Sequence, residues 1–308
     1  MEIPHDELIY DAEGYIQIYK SGRVERFIGI DFVSPSTDPN TGVSSKDTTI
    51  VPGVSARLYI PKIESDKKLP ILIHFHGGAF CLGSAFELPS HNYMISLVAR
   101  SNVVAVSVHY RLAPEHPIPV AHKDSYAALD WVLSQGNNGP DSWLVKHGDF
   151  TRLYVSGESA GGNIAHHVAM YGGAKIRGAV LIHPYFLSSK EVESEKTDPV
   201  TTKKLTSLWK IVCPSTTGSD DPWINPLAEN APSLSGLGCE RVLVLVGGTD
   251  TLRDRGRDYY EKLKVCGWKG EVKLWEAIGE GHCFHLRKPE SDHAGAQDEV
   301  ICKFLTKL

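Results

Sequence analysis

The stretch Leu153-Tyr154-Val155-Ser156-Gly157-Glu158-Ser159-Ala160-Gly161-Gly162-Asn163 carries an apolar run straight into a serine flanked by small residues, and a helix-like segment from Asn163 to Met170 follows. Ser159 therefore stands at a strand-to-helix junction. A strand that turns so sharply into a helix forces unusual torsions and close packing, which glycine and alanine tolerate and larger residues do not. Only the serine then projects from the turn, as a nucleophile must. Because G-x-S-x-G fixes just three residues and recurs by chance, the reading depends on what flanks it.

Upstream, Ile71-Leu72-Ile73 leads into His74-Phe75-His76-Gly77-Gly78-Ala79-Phe80, a second glycine-rich turn at the end of a predicted strand. Acyl transfer needs N–H donors aimed at an oxyanion, and those of Gly77 and Gly78, with that of Ala160, are the candidates. A plain strand-to-helix loop is the alternative for Gly77-Gly78. Downstream, Arg241–Val246 runs into Gly247-Gly248-Thr249-Asp250, and Val272–Trp275 runs into Gly279-Glu280-Gly281-His282. An acid and a histidine thus each follow a strand, in the order Ser, Asp, His that marks α/β-hydrolases and differs from the two major serine protease orders. In the expected chemistry neutral His282 takes the Ser159 proton and Asp250 holds the imidazole tautomer, so that an acyl-enzyme forms and is hydrolysed.

Two rivals stand beside these residues. Asp254 lies one helical turn after Asp250, but its place in Arg253-Asp254-Arg255 is explained by charge at a helix start. His285 competes with His282, which the Gly279-Glu280-Gly281 turn favours. Cys283 adjoins His282 and is expected to pack and take no part in the chemistry, and His74 and His76 read as a structural pair, since no third metal ligand is evident.

The motifs together resemble a known family. His76–Phe80, Tyr110-Arg111-Leu112-Ala113-Pro114-Glu115-His116-Pro117, Gly157–Asn163, Asp250–Arg255 and Gly281-His282-Cys283-Phe284 resemble the hormone-sensitive-lipase branch of the α/β-hydrolases, and within it the plant carboxylesterases and the related 2-hydroxyisoflavanone dehydratases. Gly22–Arg26 and Asp221–Pro226 extend the likeness over nearly the whole chain. The resemblance implies a serine carboxylesterase acting on a small-molecule ester, with the triad and oxyanion donors named above and no cofactor or metal. It also supplies two alternatives. One is a lyase that dehydrates a flavonoid-like substrate; the other is a non-catalytic receptor of the gibberellin-receptor kind, which lacks the histidine that His282 provides here. One residue departs from the pattern: most relatives carry Asp where this chain has Glu158, whose expected role is a hydrogen bond steadying the turn.

The fold expected is α/β, a mostly parallel central sheet flanked by helices, built as one domain over residues 1–308 with a small helical cap. Ile71–Phe75, Val103–Val108, Leu153–Val155, Ala179–Ile182 and Val242–Val246 are short and continuously apolar, as strands covered on both faces should be. Val54–Ile60 alternates at period two and reads as an antiparallel edge strand. Helices are predicted over Ala121–Leu133, Lys203–Val212 and Asp254–Val265, and a loop over Gln135–Ser142. Residues 1 to about 50 and 188–232 break the alternation and are assigned to the cap, where Phe186, Trp209 and Trp223, with the N-terminal tyrosines Tyr10, Tyr15 and Tyr19 and with Phe80, would line an apolar pocket. Ordinary packing is the alternative for each. Arg111 and Glu115 are expected to pair.

Composition bounds the partners. The formal net charge of −5 argues against nucleic acid, which needs a basic face, and no run approaches the roughly 18 apolar residues of a membrane span. Met1–Glu7 lacks the basic and apolar regions of a secretion signal, so a cytoplasmic location is expected. The six cysteines are scattered without a Cys-x-x-Cys pair, which disfavours disulfides and zinc.

Overall fold

The computed structural model describes residues 6–63, 67–136 and 139–307. The reading of the chain's start rests partly on Met1–His5, and that of the 135–142 loop partly on Asn137 and Asn138; these lie outside the described residues.

The chain opens with a small antiparallel sheet of β1 (Leu8–Ala12), β2 (Ile16–Tyr19) and β3 (Val24–Arg26). The hairpin β4 (Ser44–Val51) and β5 (Val54–Ile60) then enters an eight-stranded sheet. It continues with β6 (Leu69–Phe75), α1 (Leu88–Ser101), β7 (Val104–His109), α2 (Val120–Gln135), α3 (Ser142–His147), β8 (Gly148–Glu158), α4 (Ala160–Gly172) and β9 (Gly178–Ile182). After α5 (Glu193–Thr197) and α6 (Pro199–Val212) come β10 (Arg241–Gly247), α7 (Arg253–Val265), β11 (Glu271–Ala277), α8 (Phe284–Arg287) and α9 (Asp292–Thr306). The sheet order is β11-β10-β9-β8-β6-β7-β5-β4, parallel from β11 to β7 and antiparallel beyond.

The parallel core follows from its sequence. Every residue of β6, β9 and β10 is buried, because helices cover both faces of such strands. Alternation divides them: Ile71, Ile73 and Phe75 join the core shared with α2, α4 and α7, while Leu72 joins the one shared with α1 and α9. Helix ends obey local chemistry as well. Asp198 accepts the Thr201 N–H ahead of α6, with Pro199 in its first turn, and Ser291 accepts the Ala294 N–H ahead of α9.

Three expectations need correction. β5 is antiparallel but lies inside β4, and all of it except Ser55 is buried, so it is no edge strand; its serine and arginine suggested an exposed face, yet Arg57 is buried against Asp47, its Nε 2.7 Å from Oδ1. The N-terminal part of the cap is shorter than 1–50, since β4 from Ser44 belongs to the main sheet. Arg111 and Glu115 do not pair with each other. Arg111 grips Asp124 at 2.6 and 2.9 Å, and Glu115 receives Arg26 at 2.6 and 2.8 Å. Arg26 also donates to the Cys81 and Ala113 carbonyls, so it ties the N-terminal sheet to the loops after β6 and β7.

The insertion between β9 and β10 carries α5 and α6. Its attachment is close to the strand ends where ligand chemistry gathers in such sheets: Ser194 Oγ donates to the Thr251 carbonyl at 2.8 Å, and Thr251 Oγ1 donates to Asp198 at 3.3 Å.

Candidate active site

Ser159 lies between β8 and α4 at φ 54° and ψ −115°. A non-glycine residue held there costs about 1 to 3 kcal/mol and persists only where the surroundings over-determine it. Here they do. A Cβ at Gly161 would stand 1.9 Å from the Phe75 carbonyl oxygen, so the glycine two residues after Ser159 is the condition for α4 to pack on the end of β6. The Ser159 N–H donates to the Ile182 carbonyl at 2.8 Å, which fixes the turn against β9. Its side chain is left at the N-terminus of a 13-residue helix, where the dipole favours negative charge.

Ser159 Oγ is 2.8 Å from His282 Nε2, and His282 Nδ1 is 2.8 Å from Asp250 Oδ2. The three side chains, from the carboxyl ends of β8, β10 and β11, thus form one hydrogen-bonded chain of hydroxyl, imidazole and carboxylate. Asp250 Oδ1 accepts the Leu252 N–H at 2.9 Å. Burial works to raise the Asp250 pKa, but the His282 charge and hydrogen bonds from His183 and His282 outweigh it and hold the carboxyl far below the usual range. For His282 the signs are opposite. Burial would lower its pKa, while the Asp250 carboxylate raises it well above 6.5.

The rivals are placed elsewhere. Asp254 binds Arg253, Arg257 and the Ser194 N–H. His285 is buried against Tyr93 and near His183, with no bond to Asp250.

Glu158 turns out to join the two glycine turns. Its Oε1 accepts the Gly77 N–H at 2.6 Å, and His74 Nε2 approaches Oε2 to 3.0 Å without the alignment of a full hydrogen bond. The Gly77 donor is therefore spent on Glu158, which corrects its assignment to the oxyanion hole. No acceptor among the described residues takes the N–H of Gly78, Ala79 or Ala160, and these three are the donors left for an oxyanion. Gly78 is irreplaceable at its position: φ is +105°, and a Cβ would fall 2.2 Å from the Leu82 carbonyl oxygen. His76 steadies the same turn by donating from Nδ1 to the Gly77 carbonyl at 2.8 Å and stacking on Tyr110, whose hydroxyl donates to the His76 carbonyl. Burial pushes the His76 pKa down to about 3, so it is neutral at physiological pH. Replacing Glu158 with Ala leaves a buried N–H unpaired and is expected to lower stability by about 1 to 3 kcal/mol. Turnover should fall with it; urea unfolding beside a rate assay checks both.

Phe80, Phe186, Trp209 and Trp223 are each packed against neighbouring side chains. Phe80 and Trp209 are fully buried; Phe80 packs on His122, Tyr185 and Trp209, and the Trp209 indole donates to Thr216 Oγ1. Phe186 packs on His166 and Tyr259 and lines a cavity of about 300 Å³ with Leu187, Asn225 and Arg255. Trp223 covers His122 and His167 beside another of about 340 Å³. Neither lining includes Ser159 or His282. Phe80 and Trp209 serve packing, whereas Phe186 and Trp223 also face cavities. Other apolar residues are exposed. Phe27, Ile28, Ile30 and Phe32 are all exposed in a segment whose Gly29 abuts Gly83, which in turn abuts the Gly77 carbonyl.

His183, at the end of β9, also escaped the sequence reading. Its Nδ1 lies 3.1 Å from Asp250 Oδ2, and the available signal was only that it follows a central strand directly. Among the described residues, His183, Asp250 and His282 are the one group with spacing that a metal ion could use, and hydrogen bonding already accounts for that spacing. No helix among the described residues is long and apolar enough to cross a membrane.

Comparison with known proteins places the fold. A family model described as alpha/beta hydrolase fold matches residues 72–286. A 2-hydroxyisoflavanone dehydratase of Glycyrrhiza echinata is 47% identical over 94% of this chain and 94% of its own length. A probable carboxylesterase of Arabidopsis thaliana is 44% identical over 97% of this chain and 99% of its own. Among solved structures, an esterase of Pyrobaculum calidifontis superposes with a TM-score of 0.70 at 28% identity, covering 86% of each chain. With the family model spanning most of the sheet and both glycine turns, the chain belongs to the α/β-hydrolase fold family.

Proposed function

We propose that this protein is a serine carboxylesterase that hydrolyses small-molecule carboxylic esters through an acyl-enzyme. The observation that carries the reading is the unbroken chain from Ser159 Oγ to His282 Nε2 and from His282 Nδ1 to Asp250 Oδ2, each link 2.8 Å. Oγ attacks the ester carbonyl as His282 Nε2 takes its proton, and Asp250 holds the tautomer and stabilises the imidazolium. The carbonyl oxygen, now anionic, meets the N–H groups of Gly78, Ala79 and Ala160; each such donor is worth roughly a hundred- to thousandfold in rate. His282 then protonates the leaving alcohol, and a water activated by the same histidine releases the acid.

The reading makes a pH prediction. Only neutral His282 is a base, and Asp250 holds its pKa well above 6.5. Rate is lost as pH falls through that raised value, so kcat/KM should still be climbing between pH 6.5 and 8 and be low at pH 5.5. A plateau already complete at pH 6 would contradict the geometry.

A second reading has its own support in the 47% identical dehydratase. On a flavonoid-like substrate His282 would remove a proton and the glycine-turn donors would hold the carbonyl oxygen, with no covalent part for Ser159. Hydrolysis of p-nitrophenyl acetate and butyrate, run beside conversion of a 2-hydroxyisoflavanone, separates the two. Fast ester cleavage without dehydration supports the esterase, and the reverse supports the lyase.

A further inference from the structure

The geometry assigns His183 as a positioning residue: its Nδ1–H is the second imidazole donor on Asp250 Oδ2, shared with His282, and it fixes the acid and moderates the strength of the base. This rests on the reading of Asp250 and His282 as the acid and base of the site.

His183 is built for that contact. It follows β9 with φ 47°, a backbone conformation uncommon for residues with a Cβ, while its N–H still donates to the Leu245 carbonyl at 2.8 Å. The twist sends the ring toward β10 and Asp250. The side chain is wholly buried, and a buried polar ring is tolerated only where its nitrogens find partners.

The tautomer can be chosen by elimination. Nδ1 faces Asp250 Oδ2 at 3.1 Å and the Cys283 N–H at 3.4 Å, and Nε2 faces Gln297 Oε1 at 3.4 Å. Were Nδ1 bare, its lone pair would confront a buried carboxylate oxygen in compensation for one long bond from Cys283. A proton on Nδ1 makes the shorter contact a charge-assisted hydrogen bond. Nε2 is then an acceptor. Turning the Gln297 amide over places its NH2, which has no acceptor among the described residues, on that nitrogen; oxygen and nitrogen of an amide are distinguished only by such networks. Burial also keeps His183 neutral by lowering its pKa. The other titratable groups around it are His282, with ring centres 5.8 Å apart, and His285 at 5.9 Å, itself buried and held neutral, with Cys283 beside them.

Asp250 consequently accepts three N–H donors: Leu252 on Oδ1, His282 and His183 on Oδ2. The third donor has two effects. It prevents rotation of the carboxylate away from His282, and it draws charge from the oxygen that His282 uses, so that the imidazolium is less strongly stabilised than by an aspartate paired with His282 alone.

The test uses the full chain with His183→Ala, which removes the donor, and His183→Asn, whose amide N–H can occupy the Nδ1 position and which tolerates positive φ. In His183→Ala kcat should fall about ten- to a hundredfold, as when orienting partners of reactive histidines in metal sites are lost, with KM within about twofold. The pKa of His282, read directly by ¹⁵N-histidine NMR, should rise by about one pH unit. His183→Asn should restore both. Gln297→Leu, which leaves His183 in place but frees its tautomer, should move the His282 titration the same way by less. An unmoved His282 titration in folded His183→Ala, or an Asn variant as impaired as the Ala variant, would overturn the assignment. The NMR titration needs no turnover, so it stands whether or not the protein proves to be an esterase.

Discussion

Ser159→Ala is expected to lower ester turnover about ten-thousandfold or more, since the nucleophile of a triad acts as one unit with its base and the residue left over comes from oxyanion donors and binding. The fold should barely respond. Ser159 Oγ makes its hydrogen bond to His282, its main chain is held by Ile182, Tyr185 and Asn163, and alanine keeps the Cβ that already occupies the strained φ. Stability should stay within about 1 kcal/mol of the parent. p-Nitrophenyl butyrate turnover and urea unfolding measured on the same preparation give the answer. Unchanged turnover in the variant would remove Ser159 from the mechanism. Dehydration of a 2-hydroxyisoflavanone that survives the variant would show a lyase, because that chemistry needs His282 and the oxyanion donors but no serine oxygen.

The juxtaposition of Ser159, Asp250 and His282 was legible in the sequence because a triad constrains residue type and place together. Each must end a strand, and each must follow residues small enough for the turn, so Gly157–Gly161, Gly247-Gly248 and Gly279–Gly281 announce them. The parallel strands were legible for a similar reason, since burial on both faces leaves continuous apolar runs. What depends on pairing across the fold was not legible. Arg111 has Glu115 four residues away, yet it binds Asp124, and Glu115 binds an arginine 89 residues distant. Gly77 looked like a free donor because its acceptor, Glu158, lies 81 residues on. Phe80 and Trp209 looked available because aromatic side chains serve core and pocket equally well, and only their complete burial decides between the two. His183 followed a strand as Asp250 does but lacked the glycines that mark a reactive turn; its role exists only through Asp250.

Asp250→Asn should cost nearly as much as loss of the serine, about ten-thousandfold in kcat, for a reason that lies in hydrogens and not in charge alone. In the parent, Oδ2 accepts from two imidazoles and Oδ1 from the Leu252 N–H. An asparagine has one oxygen to offer. If it faces Leu252, the new NH2 meets His282 Nδ1 and selects the tautomer protonated on Nε2, which then points a proton at Ser159 Oγ and cannot take one. If it faces the histidines, the NH2 confronts the Leu252 N–H in a buried site, a clash of donors that costs about 1 to 3 kcal/mol. Either way the base is lost or the turn is destabilised. Asp254→Asn provides the contrast, because Asp254 serves Arg253, Arg257 and the Ser194 N–H: kcat should change by no more than about threefold, in keeping with a group that anchors the insertion to α7. Steady-state kinetics of the two variants decide the acid. Should Asp254→Asn fall and Asp250→Asn retain activity, the hydrogen-bonded chain at Asp250 would have to be read as structural, and His282 would need a different partner.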